Sequence, residues 1–285
     1  MGVVEKVTSV PGLIKFENSL FVLPFVYIGM LYAGTPTLVT FILISVALLT
    51  ARGAAFSANR YLGRKYDMEN PKKRNWANVR VYSKAELIAV FLSFTAIFIV
   101  CAYLLNFLAF VLAPFVIIVT VLEPMAKRYT SHRHLIMGAV IGLGIIGAYI
   151  GMTGAFPTAV PLYILFLGYM CFSAANDVVY TLSYRDFDKK VGLKTYPTVF
   201  GPTRAKEISF FLHMWAAALF AYFGLLILSW PVIVAAMLSM FVFTREHKFL
   251  ATNPKSIVVP FFNYNIAVSF LMLLAYTSGF ILSIA

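Results

Sequence analysis

Two stretches of the chain carry residue types at spacings suited to holding an anionic group. The first runs from Asn176 to Gly201, NDVVYTLSYRDFDKKVGLKTYPTVFG, beginning as the tail of an apolar run and ending in a basic loop. At helical spacing Asp177, Tyr180, Tyr184 and Asp188 fall on one stripe, each three or four residues from the next. A polar stripe at that place must face protein or water, because hydrocarbon cannot hold it. The second, NRYLGRKYDMENPKKR from Asn59 to Arg74, puts Asn59, Gly63 and Asp67 on one face by the same rule. Two helices ending on the same side, each with an acid just past its apolar part, could hold a cation between them, and the cation a phosphate. Magnesium takes carboxylates together with phosphate oxygens, and a departing diphosphate needs metal and basic partners as its charge grows. An apolar cavity beneath would shelter a carbocation from water.

The elements that position these residues are read from composition. Of 285 residues, 61% are hydrophobic and only 12% charged, and the mean hydropathy of +0.86 lies far outside the soluble range. The chain reads as an all-α polytopic membrane protein. A formal charge of +12 would suggest nucleic acid in a soluble chain, but the arrangement of the charge excludes that partner. The 23 Lys and Arg gather at the N-terminus, at 52 to 84, 127 to 133, 185 to 206 and 245 to 255. Stretches 85 to 126, 134 to 184 and 207 to 244 lack them, each about 40 residues or more, enough for two spans and a tight turn.

The hairpin turns fall at Leu105 to Phe107, Gly154 to Pro161 and Ser229 to Pro231. A first hairpin over Leu13 to Ala58 turns at Gly34 to Pro36, and a single last span follows 256, so nine transmembrane helices are expected in one domain, 1–285. The Lys and Arg excess places the N-terminus and the charged loops in the cytoplasm and Ala285 outside, in a cell membrane. No cleavable signal peptide is expected, since the first ten residues have no long apolar core.

Within this frame Pro24 lies inside the first helix and is expected to kink it. Arg52 stands within the second, two turns from Asn59 and pointing the same way. The loop Met68 to Ser83 carries Lys72, Lys73, Arg74 and Arg80, ordinary positive-inside charge that could also fold over an anion. Glu123 pairs with Lys127 one turn on. Gly138, Gly142 and Gly147 would let a neighbouring backbone approach the fifth helix. His132 and His134 flank Arg133 in a loop without a further metal-ligand type nearby. The sixth helix runs from about Leu162 to Tyr184 and the ninth from about Ile257 to Ile284; the aromatic-rich last spans hold little that could do chemistry apart from His213 and the Asn263, Asn265 pair. Cys101 and Cys171 sit mid-span as small buried residues.

The segments IKFENSLFVLPFVYIGML (14 to 31), ARGAAFSANR (51 to 60), DMENPKK (67 to 73), KRYTSHRHLIMG (127 to 138) and 176 to 201 occur in the order and spacing of a known family. On these the chain resembles the UbiA superfamily of intramembrane prenyltransferases. The resemblance implies nine helices around a lipid-open central cavity and Mg2+-assisted ionisation of a polyprenyl diphosphate. The prenyl group then passes to an aromatic or other lipophilic acceptor of the quinone- or haem-precursor type.

It also implies roles. Asn59, Asp67 and Asp188 would hold the metal, while Arg52, Lys72, Lys127 and Tyr184 would bind the diphosphate. Asp177 with Tyr180 would orient the acceptor or steady the cation. The chain departs from the family pattern at three places: Gly63 and Tyr184 each stand where an aspartate is usual, and Glu123 stands where a tyrosine precedes the lysine by four residues. Glu69, Asp186 or Glu123 could compensate. A catalytically silent relative that binds an isoprenoid, quinone or haem-like molecule, as a possible subunit of a larger membrane complex, stays open beside the enzyme. A transporter fits less well, because broken mid-membrane helices with central charges are not evident.

Overall fold

A computed structural model of the chain describes residues 10–13, 15–73, 82–252 and 263–284. Regular structure among them is helical throughout. We label the long helices α1 (Leu23–Ala33), α2 (Leu38–Glu69), α3 (Lys84–Leu105), α4 (Phe107–Leu122), α5 (Arg133–Thr153), α6 (Val160–Leu182), α7 (Gly201–Leu226), α8 (Trp230–Thr252) and α9 (Asn265–Ile284). Among the described residues six, α2 to α7, are long and apolar enough to cross a membrane once α4 is taken with the tight turn after it, and two shorter apolar helices, Leu23–Ala33 and Asn265–Ile281, bring the number there to as many as eight. Arg245, Glu246, His247 and Lys248 near the end of α8 make it less apolar than these. The chain is a polytopic all-α membrane protein.

The hairpin turns fall where the uncharged turn residues predict. Thr37 caps α2, its hydroxyl accepting from the Thr40 N–H at 3.1 Å. Ser83 and Glu86 form a reciprocal capping box that starts α3. Asn106 ends α3 and begins α4: its side-chain oxygen accepts from the Ala109 N–H at 2.9 Å. Arg74 and Arg80 of the basic loop, and the start of the last helix near Ile257, lie outside the described residues.

The helices gather into two compact units. The first comprises Met1–Leu20, Pro36–Met125 and Ile150–Ala155. Here α2, α3 and α4 pack on one another, with Phe94 of α3 against Gly53 of α2. The Asn106 side-chain amide donates to the Ile150 and Gly151 carbonyls at 2.7 and 3.1 Å, tying the α3–α4 turn to the end of α5. The Arg64 guanidinium donates to the Tyr82 carbonyl at 2.6 Å and so fixes the entry to α3.

The second unit comprises Phe21–Thr35, Ala126–Tyr149 and Phe156–Ala285. Its core is aromatic: Phe25 meets Tyr169 and Phe220 at ring separations of 5.0 and 5.1 Å, and Phe172 meets Phe243 at 5.8 Å. Burying such rings is a large apolar gain for this unit. Small residues bring the helices close. Gly29 of α1 lies against the Ile145 carbonyl, Gly138 of α5 against the Met170 carbonyl of α6, and Gly168 of α6 against Phe220.

Several expectations are corrected. Pro24 opens α1 instead of kinking its interior, because a proline in the first turn gives up an N–H that has no helical partner. The chain before it, Phe16–Phe21, is a 3-10 turn, so the first helix is 11 residues long. A second 3-10 turn, Glu123–Arg128, closes α4, with Pro124 at its second position. Gly147 has no atom near the place of a Cβ, unlike Gly138 and Gly142. The sixth helix ends at Leu182, so the stripe expected from Asp177 to Asp188 is broken and Asp188 stands on a separate short helix, Arg185–Lys190.

Candidate functional site

In the first unit the helical register of α2 brings its polar residues together over Gly63. A Cβ built on Gly63 would lie 3.6 Å from Asn59 Oδ1 and 3.9 Å from Asp67 Oδ2, so both oxygens converge on the space the glycine leaves. Asp67 is only 7% exposed. Its charge is met by Arg60, 2.6 Å from Oδ2, and by Lys73, 3.5 Å from Oδ1. A buried carboxylate without such partners would give up its charge. Arg60 and Asp67 are seven residues apart, two turns on one face.

Arg52 lies a further two turns back on the same helix. Its Nε donates to Ser19 Oγ at 3.1 Å and its guanidinium covers the Phe56 ring at 5.3 Å. Lys72 is exposed just beyond α2, where its backbone N–H donates to Asn70 Oδ1 at 3.0 Å. Arg52, Asn59, Asp67 and Lys72 therefore occur in one unit, spread along α2 and the turn that follows.

In the second unit the end of α6 divides its polar residues between neighbours. Asp177 turns toward α5, where His134 Nδ1 lies 2.6 Å and an Arg133 guanidinium nitrogen 2.9 Å from the same Oδ2. The Asn176 side-chain oxygen lies 3.0 Å from His213 Nε2 of α7, and His213 Nδ1 lies 3.0 Å from His247 Nε2 of α8. Tyr180 receives a hydrogen bond from the Tyr184 hydroxyl at 3.1 Å, and the rings meet edge to face at 5.2 Å.

Tyr184 caps the short helix Arg185–Lys190, which carries the buried Asp188. Lys127 sits in the turn after α4 and is fixed by its backbone: its carbonyl accepts the Lys194 N–H at 2.7 Å. Beside it, Tyr196 is 4% exposed with its hydroxyl 3.0 Å from His132 Nδ1. Burial raises this phenol above its ordinary value, so it keeps its proton.

Spacing alone does not pair four residues with the acids of these clusters. Arg60 and Lys73 complete Asp67, and Arg133 and His134 complete Asp177. The i, i+7 rule that links Arg52 to Asn59 also links Arg60 to Asp67. No local pattern links His134 to an acid 43 residues further on. His134 is moreover not a loop residue; it lies in the first turn of α5 with no exposed surface.

A family model described as the UbiA prenyltransferase family matches residues 22–279. The chain belongs to this family. Among curated proteins, the 4-hydroxybenzoate octaprenyltransferase of Psychrobacter arcticus is 32% identical over 200 residues, covering 67% of this chain and 63% of that protein. The enzyme of the same description from Shewanella pealeana is 33% identical over 170 residues, 59% of this chain and 58% of that one. The chain thus matches about three fifths of the length of these relatives.

Among solved structures, the apo UbiA homolog from Aeropyrum pernix K1 superimposes with a TM-score of 0.82 at 27% identity, over 94% of this chain and 98% of that one. A UbiA homolog from Archaeoglobus fulgidus bound to GPP and Mg2+ superimposes with a TM-score of 0.74 at 18% identity, over 95% and 99%. The two comparisons support the same fold across nearly the whole UbiA chain.

The donor set suits magnesium in part. Asn59 Oδ1 and Asp67 Oδ2 are hard oxygens that both flank the Cβ place of Gly63, the second also bound by Arg60 at 2.6 Å, and magnesium prefers such donors completed by water and phosphate oxygens. Among the described residues no three His, Cys, Asp or Glu side chains form a metal-ligand cluster. The fit is therefore to an ion held as much by substrate oxygens and water as by this protein.

Proposed function

We propose that the protein is an intramembrane prenyltransferase that moves a prenyl group from a polyprenyl diphosphate to an aromatic or other lipophilic acceptor of the quinone- or haem-precursor type. The observation that carries this is the convergence of Asn59 Oδ1 and Asp67 Oδ2 over Gly63, ringed by Arg60 and Lys73, in a chain of this family. The octaprenyltransferase relatives and the homolog bound to GPP and Mg2+ support the donor class. The reading includes nine spans, with α8 and α9 among them, around a cavity open to lipid. The N-terminus and basic loops face the cytoplasm and Ala285 lies outside, by the excess of Lys and Arg in those loops.

Each residue has a role in this reading. Arg52, Lys72 and Lys127 hold diphosphate oxygens, and Tyr184 donates or accepts a hydrogen bond there. Asn59, Asp67 and Asp188 hold Mg2+, whose chemistry when bound is to neutralise the charge that grows on the departing diphosphate. Arg60 and Lys73 balance the charge of the Asp67 carboxylate, which supplies the hard oxygen donor. Asp177 and Tyr180 orient the acceptor or steady the developing cation. Apolar helix faces exclude water from that cation.

A second reading is favoured by one feature, the replacement of two family carboxylates by Gly63 and Tyr184. It is a silent relative that binds an isoprenoid, quinone or haem-like molecule, as a subunit of a larger membrane complex. Purified protein given geranylgeranyl diphosphate, magnesium and a panel of acceptors that includes 4-hydroxybenzoate separates the two. Metal-dependent diphosphate release with a prenylated product supports the enzyme. Tight, metal-independent prenyl binding with no release for any acceptor supports the binding subunit.

A further inference from the structure

In the second unit the turn after α4 and the segment after the short helix Arg185–Lys190 are stitched together. The Lys194 N–H donates to the Lys127 carbonyl at 2.7 Å and Lys194 Nζ to the Tyr129 carbonyl at 3.2 Å. His132 Nδ1 and the Tyr196 hydroxyl lie 3.0 Å apart. His134 is joined to this seam and is wholly buried. Its Nε2 lies 3.1 Å from the Tyr196 backbone nitrogen and its Nδ1 lies 2.6 Å from Asp177 Oδ2.

The chemistry of the ring follows from its partners. A backbone N–H can only donate, so Nε2 accepts from Tyr196 and carries no proton. Nδ1 then carries the proton of the neutral ring and donates it to the carboxylate. Arg133, 2.9 Å from the same oxygen, already supplies the positive charge that Asp177 needs. His134 is left with a directional task, in which both ring nitrogens are engaged. Its ring also packs on Tyr196 at 4.8 Å between centroids, so it has little freedom to turn.

We propose that His134 is a positioning residue with two arms. Through Nδ1 it sets the direction of the Asp177 carboxylate, and through Nε2 it holds the segment whose Lys194 N–H fixes Lys127. The inference rests on the roles proposed above for Asp177 toward the acceptor and Lys127 toward the diphosphate. A histidine that merely filled the core would affect both substrates together, in proportion to lost stability. A two-armed one separates them.

The test uses full-length protein in detergent, as wild type, His134→Asn and His134→Gln. The Asn amide nitrogen stands near the place of Nδ1, keeping the bond to Asp177 and losing the one to Tyr196. The longer Gln side chain places its amide oxygen near Nε2, keeping Tyr196 and losing Asp177. A hydrogen bond to a charged group is worth enough to change an affinity about tenfold or more. His134→Gln is expected to lower acceptor kcat/KM about tenfold while the Kd of a non-ionising prenyl thiodiphosphate holds; His134→Asn, which gives up a neutral hydrogen bond, is expected to raise that Kd about fivefold while acceptor KM holds.

Parallel shifts of both readouts in both variants, or wild-type values throughout, would overturn the proposal. If wild type turns over no acceptor, the enzymatic reading fails by itself, and the thiodiphosphate Kd of Asn against Gln still decides: weakening in Asn alone supports the arm to Tyr196, and equal values overturn it. Should both variants unfold, 15N spectra of histidine-labelled wild type decide instead. A bare Nε2 with a protonated Nδ1 at His134 supports the assignment, and a protonated Nε2 overturns it.

Discussion

Arg60 and Asp67 meet at 2.6 Å across two turns of α2, with side chains 8% and 10% exposed. A pair this dry depends on both members, because removing one strands the other as a buried charge. Arg60→Ala is expected to cost about 3 to 5 kcal/mol, and Arg60→Ala with Asp67→Asn distinctly less than the sum of the single changes. Thermal unfolding of the three variants in one detergent measures this. Additive losses would show that the two side chains do not sustain one another.

Gly63 offers a gain-of-function test. A Cβ there would meet nothing closer than 3.6 Å, so the first side-chain atom fits, and Gly63→Asp adds a carboxylate beside Asn59 and Asp67. Magnesium affinity, read by titration of the purified protein, is expected to rise. Gly63→Ala serves as the control and is expected to stabilise α2 by about 0.5 to 1 kcal/mol with no change in metal binding. An unchanged affinity in Gly63→Asp would remove this face from the metal assignment.

The glycines of α5 divide into two kinds. A side chain at Gly138 would strike the Met170 carbonyl of α6, whereas one at Gly147 would meet nothing within 4 Å. Gly138→Ala is expected to lose roughly 1 to 3 kcal/mol to forced separation of the helices. Gly147→Ala is expected to be neutral or slightly stabilising. Equal unfolding temperatures for the two would contradict the packing of α5 on α6.

What the sequence discloses follows the range of each rule. Stretches without Lys or Arg, bounded by clusters of them, locate the hairpins, and the i, i+4 rule locates Asn59, Gly63 and Asp67 on the unbroken α2. The same rule fails over Asp177 to Asp188. Ser183 turns its hydroxyl back to the Tyr180 carbonyl at 2.7 Å, and the helix stops at Leu182 without a glycine or proline to announce it. The partners of Asp177 are illegible for a different reason: Arg133 and His134 come from another helix, and a pairing across 43 residues leaves no local period. Pro24 was legible in principle, since a proline opens a helix as readily as it breaks one.

The tyrosine pair tests the role proposed for Tyr184 toward the diphosphate. The Tyr184 hydroxyl donates to Tyr180 at 3.1 Å. Tyr184→Phe removes that donor while keeping the edge-to-face packing. It is expected to raise the KM for prenyl diphosphate several-fold with little loss of stability, about 1 kcal/mol or less. A change confined to acceptor KM would move Tyr184 to the acceptor side.

The most direct measurement is diphosphate release by Asp188→Ala beside wild type, with geranylgeranyl diphosphate and an acceptor, with magnesium and again with a chelator. Wild type is expected to release diphosphate only with magnesium, and Asp188→Ala to lose turnover while still folding. Undiminished, magnesium-dependent release by Asp188→Ala would contradict the metal assignment on which the catalytic account stands.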